Sequence, residues 1–133
     1  MSKSAIYTVN TTPTTVEPTN NIPLGATIRR FGCNAYQNEN TIQIRGNGYY
    51  LVTVTATISP TSAGNVGVSM LKNGTLVPGA TASGTVATAN DIITLPITAI
   101  IRNNHECETS AISFVLDTTA SSVTNFAVEI VKL

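Results

Sequence analysis

The run from Gly46 to Ile58 alternates between two kinds of side chain, which leaves few folds open to this chain. From Tyr49 onward one set of alternate residues is apolar and the other is mostly threonine. A period of two residues is typical of a β-strand with one buried face, and Val, Ile, Thr and Tyr pack well on a pleated sheet. Asn47-Gly48 favours a tight turn just before the strand, because both residues tolerate a positive φ. The run therefore predicts a long central strand that begins at a turn.

The rest of the chain repeats this pattern in shorter pieces. Alternating or β-branched segments cover residues 24–31, 41–45, 66–72, 92–102, 111–116 and 126–133. Asn73-Gly74 is a second hairpin signal, and Pro78 beyond it requires a sheet edge or a strand end. The segment from Gly79 to Asn90 has short side chains and is predicted to be a loop with a weak strand. No helix longer than one turn is predicted, so the chain is expected to be all-β, a sandwich or jelly roll of about eight to ten antiparallel strands.

Residues 1–22 differ in composition from the rest of the chain. Ile6, Tyr7 and Val9 have the pattern of a short strand, but the segment after them is rich in Thr and Pro and lacks an apolar period. Such a segment alone buries too little surface to offset its ordering entropy. Two interpretations stay open: a frayed terminus, or an attachment arm that orders against another subunit or a larger assembly. We therefore predict an N-terminal arm over residues 1–22 and a β-sandwich domain over 23–133. Because the last strand runs to the end of the sequence, any tether is expected to be this arm.

The charge of the chain limits its partners. Seven Lys and Arg residues balance seven Asp and Glu residues, and only 11% of the chain is charged. Nucleic acids and anionic membranes need a clustered excess of basic residues, so neither is predicted as a partner. No apolar run has the length of a signal peptide or a membrane span, which predicts synthesis in the cytoplasm of the cell that makes the protein.

Three segments have distinctive motifs: a Gly-aromatic-Tyr strand at Gly48 to Val54, a strand–Asn-Gly–strand–Pro-Gly run at Val68 to Ala80, and an alternating closing strand at Phe126 to Leu133. In these segments the chain resembles the C1q/TNF-like jelly-roll domains, in particular their bacterial and phage members. The resemblance covers roughly residues 22–133. It implies a jelly-roll β-sandwich that assembles as a homotrimer. The bacterial members include the C-terminal domain of the collagen-like exosporium glycoprotein of spores.

A second likeness concerns small virion proteins of phages of Gram-positive gut bacteria. It rests on the opening Met1 to Tyr7 and on the segment Ile28 to Cys33. It implies a structural protein of the virion surface, a capsid decoration or head-fibre protein, held to a capsid or other virion protein by its arm. No Gly-X-Y collagen repeat precedes the domain, which counts against a spore-surface role. The cysteine-rich stretch of many relatives is reduced here to residues 105–108.

The resemblance also suggests where a trimer would form, since jelly rolls of this group place one sheet around a three-fold axis. The large side chains on otherwise polar strand faces are the candidates for this interface: Tyr49, Leu51, Ile92 and Ile100. The alternative is that loops of the same chain cover them.

Catalytic and metal chemistry find little support in the sequence. Ser110, His105 and either Asp91 or Asp117 supply the residue types of a triad, but no nucleophile elbow is present. Neighbouring residues of the segment from His105 to Glu108 point to opposite sides in a strand, whereas a zinc site needs about four convergent ligands. No enzyme activity, metal or cofactor is therefore predicted. Cys33 and Cys107 are expected to be buried thiols, with a single disulfide as the alternative.

Two other functions stay open beside the virion role. One is a receptor-binding or glycan-binding tip that uses Gly79 to Asn90 and Asn103 to Ser110, although the chain has no Trp to stack on a sugar. The other is a spore-surface component of the exosporium kind.

Overall fold

The structure, a computed structural model, describes residues 3–133 and forms eleven β-strands and no helix within them. The strands are β1 (Ala5–Asn10), β2 (Thr14–Val16), β3 (Ala26–Phe31), β4 (Ala35–Asn38), β5 (Thr41–Arg45), β6 (Gly48–Pro60), β7 (Gly64–Lys72), β8 (Thr75–Val86), β9 (Ile93–Asn103), β10 (Thr109–Asp117) and β11 (Ser121–Lys132). The prediction of an all-β chain is confirmed. The count exceeds the expected one because two strands, β2 and β4, are too short to leave a clear period.

The strands make two antiparallel sheets that pack face to face as a jelly-roll sandwich. One has the order β3-β1-β11-β6-β9, with β2 also paired to β11, and the other has the order β4-β5-β10-β7-β8. β6 is the long strand predicted from the alternating run, and it lies between β11 and β9. Because its even-numbered residues from Tyr50 to Ile58 face the second sheet, its threonines lie on the outside.

The core lies between the sheets and is built from aliphatic side chains around three aromatic ones, those of Tyr50, Phe114 and Phe126. Phe114 on β10 and Phe126 on β11 meet edge to face, with their ring centroids 5.3 Å apart. Both are fully buried. An aromatic pair in this geometry contributes about 0.5–1.5 kcal/mol beyond the burial of its area. The pair therefore joins the centres of the two sheets.

The predicted division at residue 22 is wrong as a structural boundary. β1 lies inside the six-stranded sheet, paired with β11 on one side and β3 on the other, and β2 pairs with the far end of β11. Ile6 is 2% exposed and belongs to the core. The strand-like pattern at Ile6 to Val9 thus finds its partners within the same chain, and the Thr/Pro-rich segment is a connection within the domain.

Two further expectations are corrected. The segment from Gly79 to Asn90 was expected to be mainly loop, but most of it belongs to β8, whose small side chains still allow backbone pairing with β7. Pro78 interrupts this pairing at a sheet edge, as predicted. Cys33 and Cys107 are exposed free thiols and not buried ones, because each lies in a connection between strands.

Candidate functional site: an apolar face on the six-stranded sheet

A row of apolar residues crosses the outer face of the six-stranded sheet. Its members follow one another through strand pairing: Phe31 opposite Ala5, Ala5 opposite Val131, Val131 opposite Leu51, and Leu51 opposite Ile100. Residues directly opposite each other in antiparallel strands point to the same face, about 4.5–5.5 Å apart. The apolar row therefore runs without a break across β3, β1, β11, β6 and β9.

The apolar row is open to solvent in the isolated chain. Phe31 and Ile100 are each 59% exposed, Val131 is 40% exposed, and Leu51 is half-buried. Monomeric soluble proteins rarely expose a contiguous apolar patch larger than a few hundred Å², and larger patches mark interaction sites. The row is therefore the strongest candidate for a functional surface.

Aromatic and aliphatic side chains extend the row toward one end of the sandwich. Tyr49 lies opposite Arg102, whose guanidinium carbon is 5.3 Å from the centroid of the tyrosine ring. The backbone N–H of Leu133 donates to the carbonyl of Tyr49 at 2.9 Å, which places this last residue beside the ring. Both Tyr49 and Leu133 are about half exposed or more.

Toward the other end the same face becomes polar. The next row consists of Arg29, Tyr7, Glu129, Thr53 and Thr98, in the order of the strands. Further along β6, Thr55 and Thr57 continue it. An open groove of about 380 Å³ lies at the junction of the two rows, lined by Phe31, Tyr7 and Val131 among others.

A second apolar groove lies around the edge from this face. It has a volume of about 270 Å³ and is lined by Leu76, Val77 and Pro78 of β8 together with Ile100 of β9. Leu76 is 51% exposed. The chain thus presents an apolar sheet face and, next to it, an apolar sheet edge.

The structure brings together three of the four residues suggested for a trimer interface. Tyr49, Leu51 and Ile100 lie at one end of the outer face, whereas Ile92 precedes β9 at the opposite end. Ile93 pairs with Ile58 and Ile100 pairs with Leu51, a separation of seven residues or roughly 23 Å along a strand. Ile92 therefore does not share a surface with the other three.

The three residues assigned to an attachment arm are divided between the two faces of β1. Ile6 points into the core, while Tyr7 and Val9 are half-buried on the outer face. They cannot act together as a detached arm, because β1 is hydrogen-bonded on both sides.

Residues of the apolar row on β3 and β11 were not identified from the sequence. Phe31 and Val131 occur at alternating positions of predicted strands, so their strand faces could have been assigned. What links them to Leu51 is the pairing register between distant segments, which a single sequence does not specify.

Of the residues considered for catalysis, Ser110 is held in a structural network at one end of the sandwich, whereas Asp117 lies at the far end of β10 and binds Ser69. The buried Ser110 hydroxyl donates to Oδ1 of Asn103 at 2.8 Å, and Nδ2 of Asn103 donates to the carbonyls of Ile44 and Glu108. Among the residues that the structure describes, the His105 side chain makes no hydrogen bond to Ser110, Asp91 or Asp117. Within residues 3–133 no group of three or more His, Cys, Asp or Glu side chains converges to hold a metal ion. The same part of the chain contains no helix long and apolar enough to cross a bilayer.

Glu108 fixes the loop between β9 and β10 through its carboxylate. The backbone N–H of Asn104 donates to its Oε1 at 2.7 Å, and this bond is the main cause of a pKa lowered from the usual 4.5. The Lys72 ammonium, 3.7 Å from Oε2, lowers the pKa further, against the opposing effect of burial. Lys72 also donates to the carbonyl of Arg102, which ties the loop to the end of β9.

Replacing Glu108 with glutamine is expected to lower the Tm slightly at neutral pH and not at all in strong acid. A carboxyl whose pKa is lower in the folded state stabilises the fold above its unfolded pKa, and this stabilisation is lost as the pH falls through the lowered folded pKa. The Tm difference between wild type and Glu108→Gln should therefore be constant above about pH 5 and shrink below pH 4.5. Glu106→Gln in the same exposed loop is the control and should show no such difference. A Glu108→Gln difference that persists unchanged at pH 2 would contradict this explanation.

Solved structures of other proteins share this arrangement of strands. Murine APRIL, solved at pH 8.5, superposes with a TM-score of 0.76 at 11% sequence identity, covering 99% of this chain and 100% of that one. The globular domain of zebrafish complement 1qA gives a TM-score of 0.70 at 7% identity, covering 97% of this chain and 95% of that one. Vertex protein P5 of PRD1 gives a TM-score of 0.64 at 13% identity, covering 98% of this chain and 96% of that one.

At the level of sequence, no protein-family model and no curated protein matches the chain. The likeness to the three solved structures is therefore one of fold, and it extends over nearly the whole length of each chain. Eiger TNF from S. frugiperda also shares the fold, with a TM-score of 0.73 at 10% identity, covering 98% of this chain and 91% of that one. The chain has the C1q/TNF-like jelly-roll fold.

Proposed function

We propose that this chain is a non-enzymatic structural protein of a virion surface, of the capsid-decoration or head-fibre type, that assembles as a homotrimer. The observation that carries the proposal is the apolar row on the outer face of the six-stranded sheet. Burying a side chain such as Phe31, Leu51 or Ile100 contributes about 1.5–3 kcal/mol. A row of such side chains across five strands is thus sufficient to stabilise a contact between subunits.

The arrangement of the apolar surfaces favours a ring over a two-fold dimer. The apolar row lies on a sheet face, and the groove at Leu76 to Pro78 lies on the neighbouring edge. When the edge of one copy packs on the face of the next, the contact is heterologous, and a rotation that closes gives a ring. Three copies are the number that the C1q/TNF-like resemblance implies.

The virion location rests on two supports. One is the likeness in fold to vertex protein P5 of PRD1, over nearly the whole chain. The other is a surface with few charges, rich in Thr, Asn and Ser, which suits packing against neighbours. In this proposal the protein is made in the host cytoplasm and binds to another virion protein.

The mode of attachment is revised relative to the arm expected from sequence. With Ile6 in the core, a contact through β1 would involve only its outward residues, Tyr7 and Val9. We propose that residues 3–22 contribute to attachment as part of the folded domain and not as a free tether; Met1 and Ser2 of the expected arm lie outside the described residues.

Purified protein mixed with capsids that lack it is expected to bind them to saturation. Co-sedimentation of the two, followed by electron microscopy of the particles, measures this. A variant with the exposed Tyr36 of the other sheet changed to Ser is the matched control and should bind equally well. Failure to co-sediment at any concentration would remove the capsid role and leave the trimer to be tested separately.

A further inference from the structure

We propose that a polar trough on the outer face of the five-stranded sheet is a binding site for a neutral carbohydrate. The trough has a volume of about 520 Å³. Its lining includes Asn65 and Gly67 of β7, Ser83 and Thr85 of β8, and Asp117 at the end of β10. It lies on the opposite side of the sandwich from the apolar row, so a trimer formed through that row leaves it accessible.

The floor of the trough is a glycine in the interior of a central strand. Gly67 pairs with Asp117 on one side and Ser83 on the other. Its φ is not in the left-handed region, so the backbone does not require glycine here. A glycine weakens a strand interior, and it often marks a place where a ligand approaches the backbone closely. A Cβ at this position would lie 3.3 Å from Cβ of Ser83 and 3.5 Å from Oδ2 of Asp117, so any side chain here would fill the narrow gap between these two residues.

A fixed carboxylate forms one wall of this space. The Ser69 hydroxyl donates to Oδ2 of Asp117 at 2.5 Å, and Ser69 also lies 3.2 Å from the hydroxyl of Thr81. Within residues 3–133 the other carboxylate oxygen of Asp117 accepts no hydrogen bond. A carboxylate with one oxygen held and one free is an oriented acceptor for a ligand hydroxyl.

Donors lie on the other sides of the same space. The Thr85 hydroxyl donates to Oδ1 of Asn65 at 2.7 Å, which leaves the amide NH₂ of Asn65 without a partner in the described part of the chain. The Ser83 hydroxyl likewise has no partner there and can donate or accept. An acceptor, a donor and a hydroxyl around one cavity match the alternating donors and acceptors of neighbouring sugar hydroxyls.

The charge of the trough selects the class of ligand. Among its described lining residues there is no Lys or Arg, so a phosphate or an acidic sugar would face the Asp117 carboxylate without compensation. A single carboxylate is also too few for a calcium site, which takes about six to eight oxygen ligands. A neutral polyhydroxylated molecule satisfies the free groups at no electrostatic cost.

The test is a titration of the full-length protein, labelled with ¹⁵N, with neutral monosaccharides. Glucose, galactose, mannose, N-acetylglucosamine and N-acetylgalactosamine are added separately, and the amide shifts of Gly67, Ser83 and Asp117 are followed by NMR. N-acetylneuraminic acid and Ca²⁺ are the charged comparisons. At least one neutral sugar is expected to shift these amides in a saturable way, while the two charged probes leave them unchanged.

Gly67→Val is expected to weaken this binding at least about tenfold, because its side chain fills the floor and separates the sugar from Asp117. If Gly67→Val does not fold, Ser83→Val is the second test. It removes one hydroxyl from the exposed rim and is also expected to weaken binding. Gln43→Ala, on the outer face of the same sheet at β5, is the matched control and should bind as wild type does. The proposal is overturned if none of the five sugars shifts the trough amides, if Ca²⁺ or the acidic sugar alone does so, or if Ser83→Val binds like wild type.

Discussion

Replacing Leu51 with aspartate is expected to convert a trimer of about 42 kDa, three chains of 13.9 kDa, into a monomer. Leu51 lies inside the apolar row, with Val131 on one side and Ile100 on the other. A carboxylate there would be buried in each of the three contacts without a cation to pair with. An unpaired buried charge costs several kcal/mol at each site, which exceeds the contribution of any one residue of the row.

The substitution should leave the fold of the isolated chain intact. Leu51 points away from the core, which lies on the side of Tyr50 and Val52. The new carboxylate therefore faces water in the monomer, and surface changes of this kind usually alter stability by less than about 0.5 kcal/mol. Light scattering after size exclusion measures the molar mass, and circular dichroism verifies that the sheet content is retained.

Tyr36→Asp is the matched control for this experiment. Tyr36 is 39% exposed and lies on β4 at the outside of the other sheet, away from the apolar row. We expect this variant to remain a trimer. A wild-type monomer, or a Leu51→Asp variant that stays trimeric, would show that the apolar row is not the contact between subunits.

The sequence was most informative about the strands and about the faces of single strands. The alternation over Gly46 to Ile58 predicts β6 and separates Tyr50 from Tyr49 and Leu51, because side-chain direction depends only on local period. Asn73-Gly74 likewise predicts the turn between β7 and β8, where both residues have positive φ. Features of this kind are determined within a few residues of sequence.

Surfaces assembled from several strands were not predictable in the same way. The apolar row joins Phe31, Ala5 and Val131, which are brought together by pairing of β1 with β3 and with β11. The partner of β1 on one side lies about 120 residues further along the chain, and such a pairing leaves no local signal. Gly67 and Asp117 are likewise distant in the sequence, and only the pairing of β7 with β10 makes them neighbours in the trough.

In the N-terminal segment, the composition led to the prediction of an arm, although the local pattern at Ile6 to Val9 correctly indicated a strand. The Thr/Pro-rich residues after Asn10 suggest a chain that cannot order by itself, and this holds for the segment in isolation. In the fold, the same residues are ordered by neighbours: the N–H of Thr19 donates to the carbonyl of Leu116, and that of Ile22 to the carbonyl of Phe114. A boundary at residue 22 would therefore cut through hydrogen-bonded structure.

Replacing Ile6 with asparagine is expected to destabilise the whole domain, whereas the same change at its neighbour Tyr7 is not. Ile6 is 2% exposed within the core, so the variant loses about 1.5–3 kcal/mol of apolar burial and buries an amide without a partner. The sum is a large part of the 5–15 kcal/mol that stabilises a typical domain. The Tm should fall by at least about 10 °C, or the protein should fail to accumulate in soluble form.

Tyr7→Asn is the control because residues 6 and 7 share one strand and point to opposite faces. Its amide would lie on the outer face between Arg29 and Glu129, where polar groups are already present. Cooperative urea unfolding, followed by circular dichroism, should be retained in this variant with a midpoint near that of wild type. If Ile6→Asn also unfolds like wild type, β1 contributes nothing to the core in solution, and the N-terminal residues act as the detached arm that their composition suggests. If Ile6→Asn alone is destabilised, β1 is part of the domain, and the attachment proposed above would use a surface of the folded sandwich.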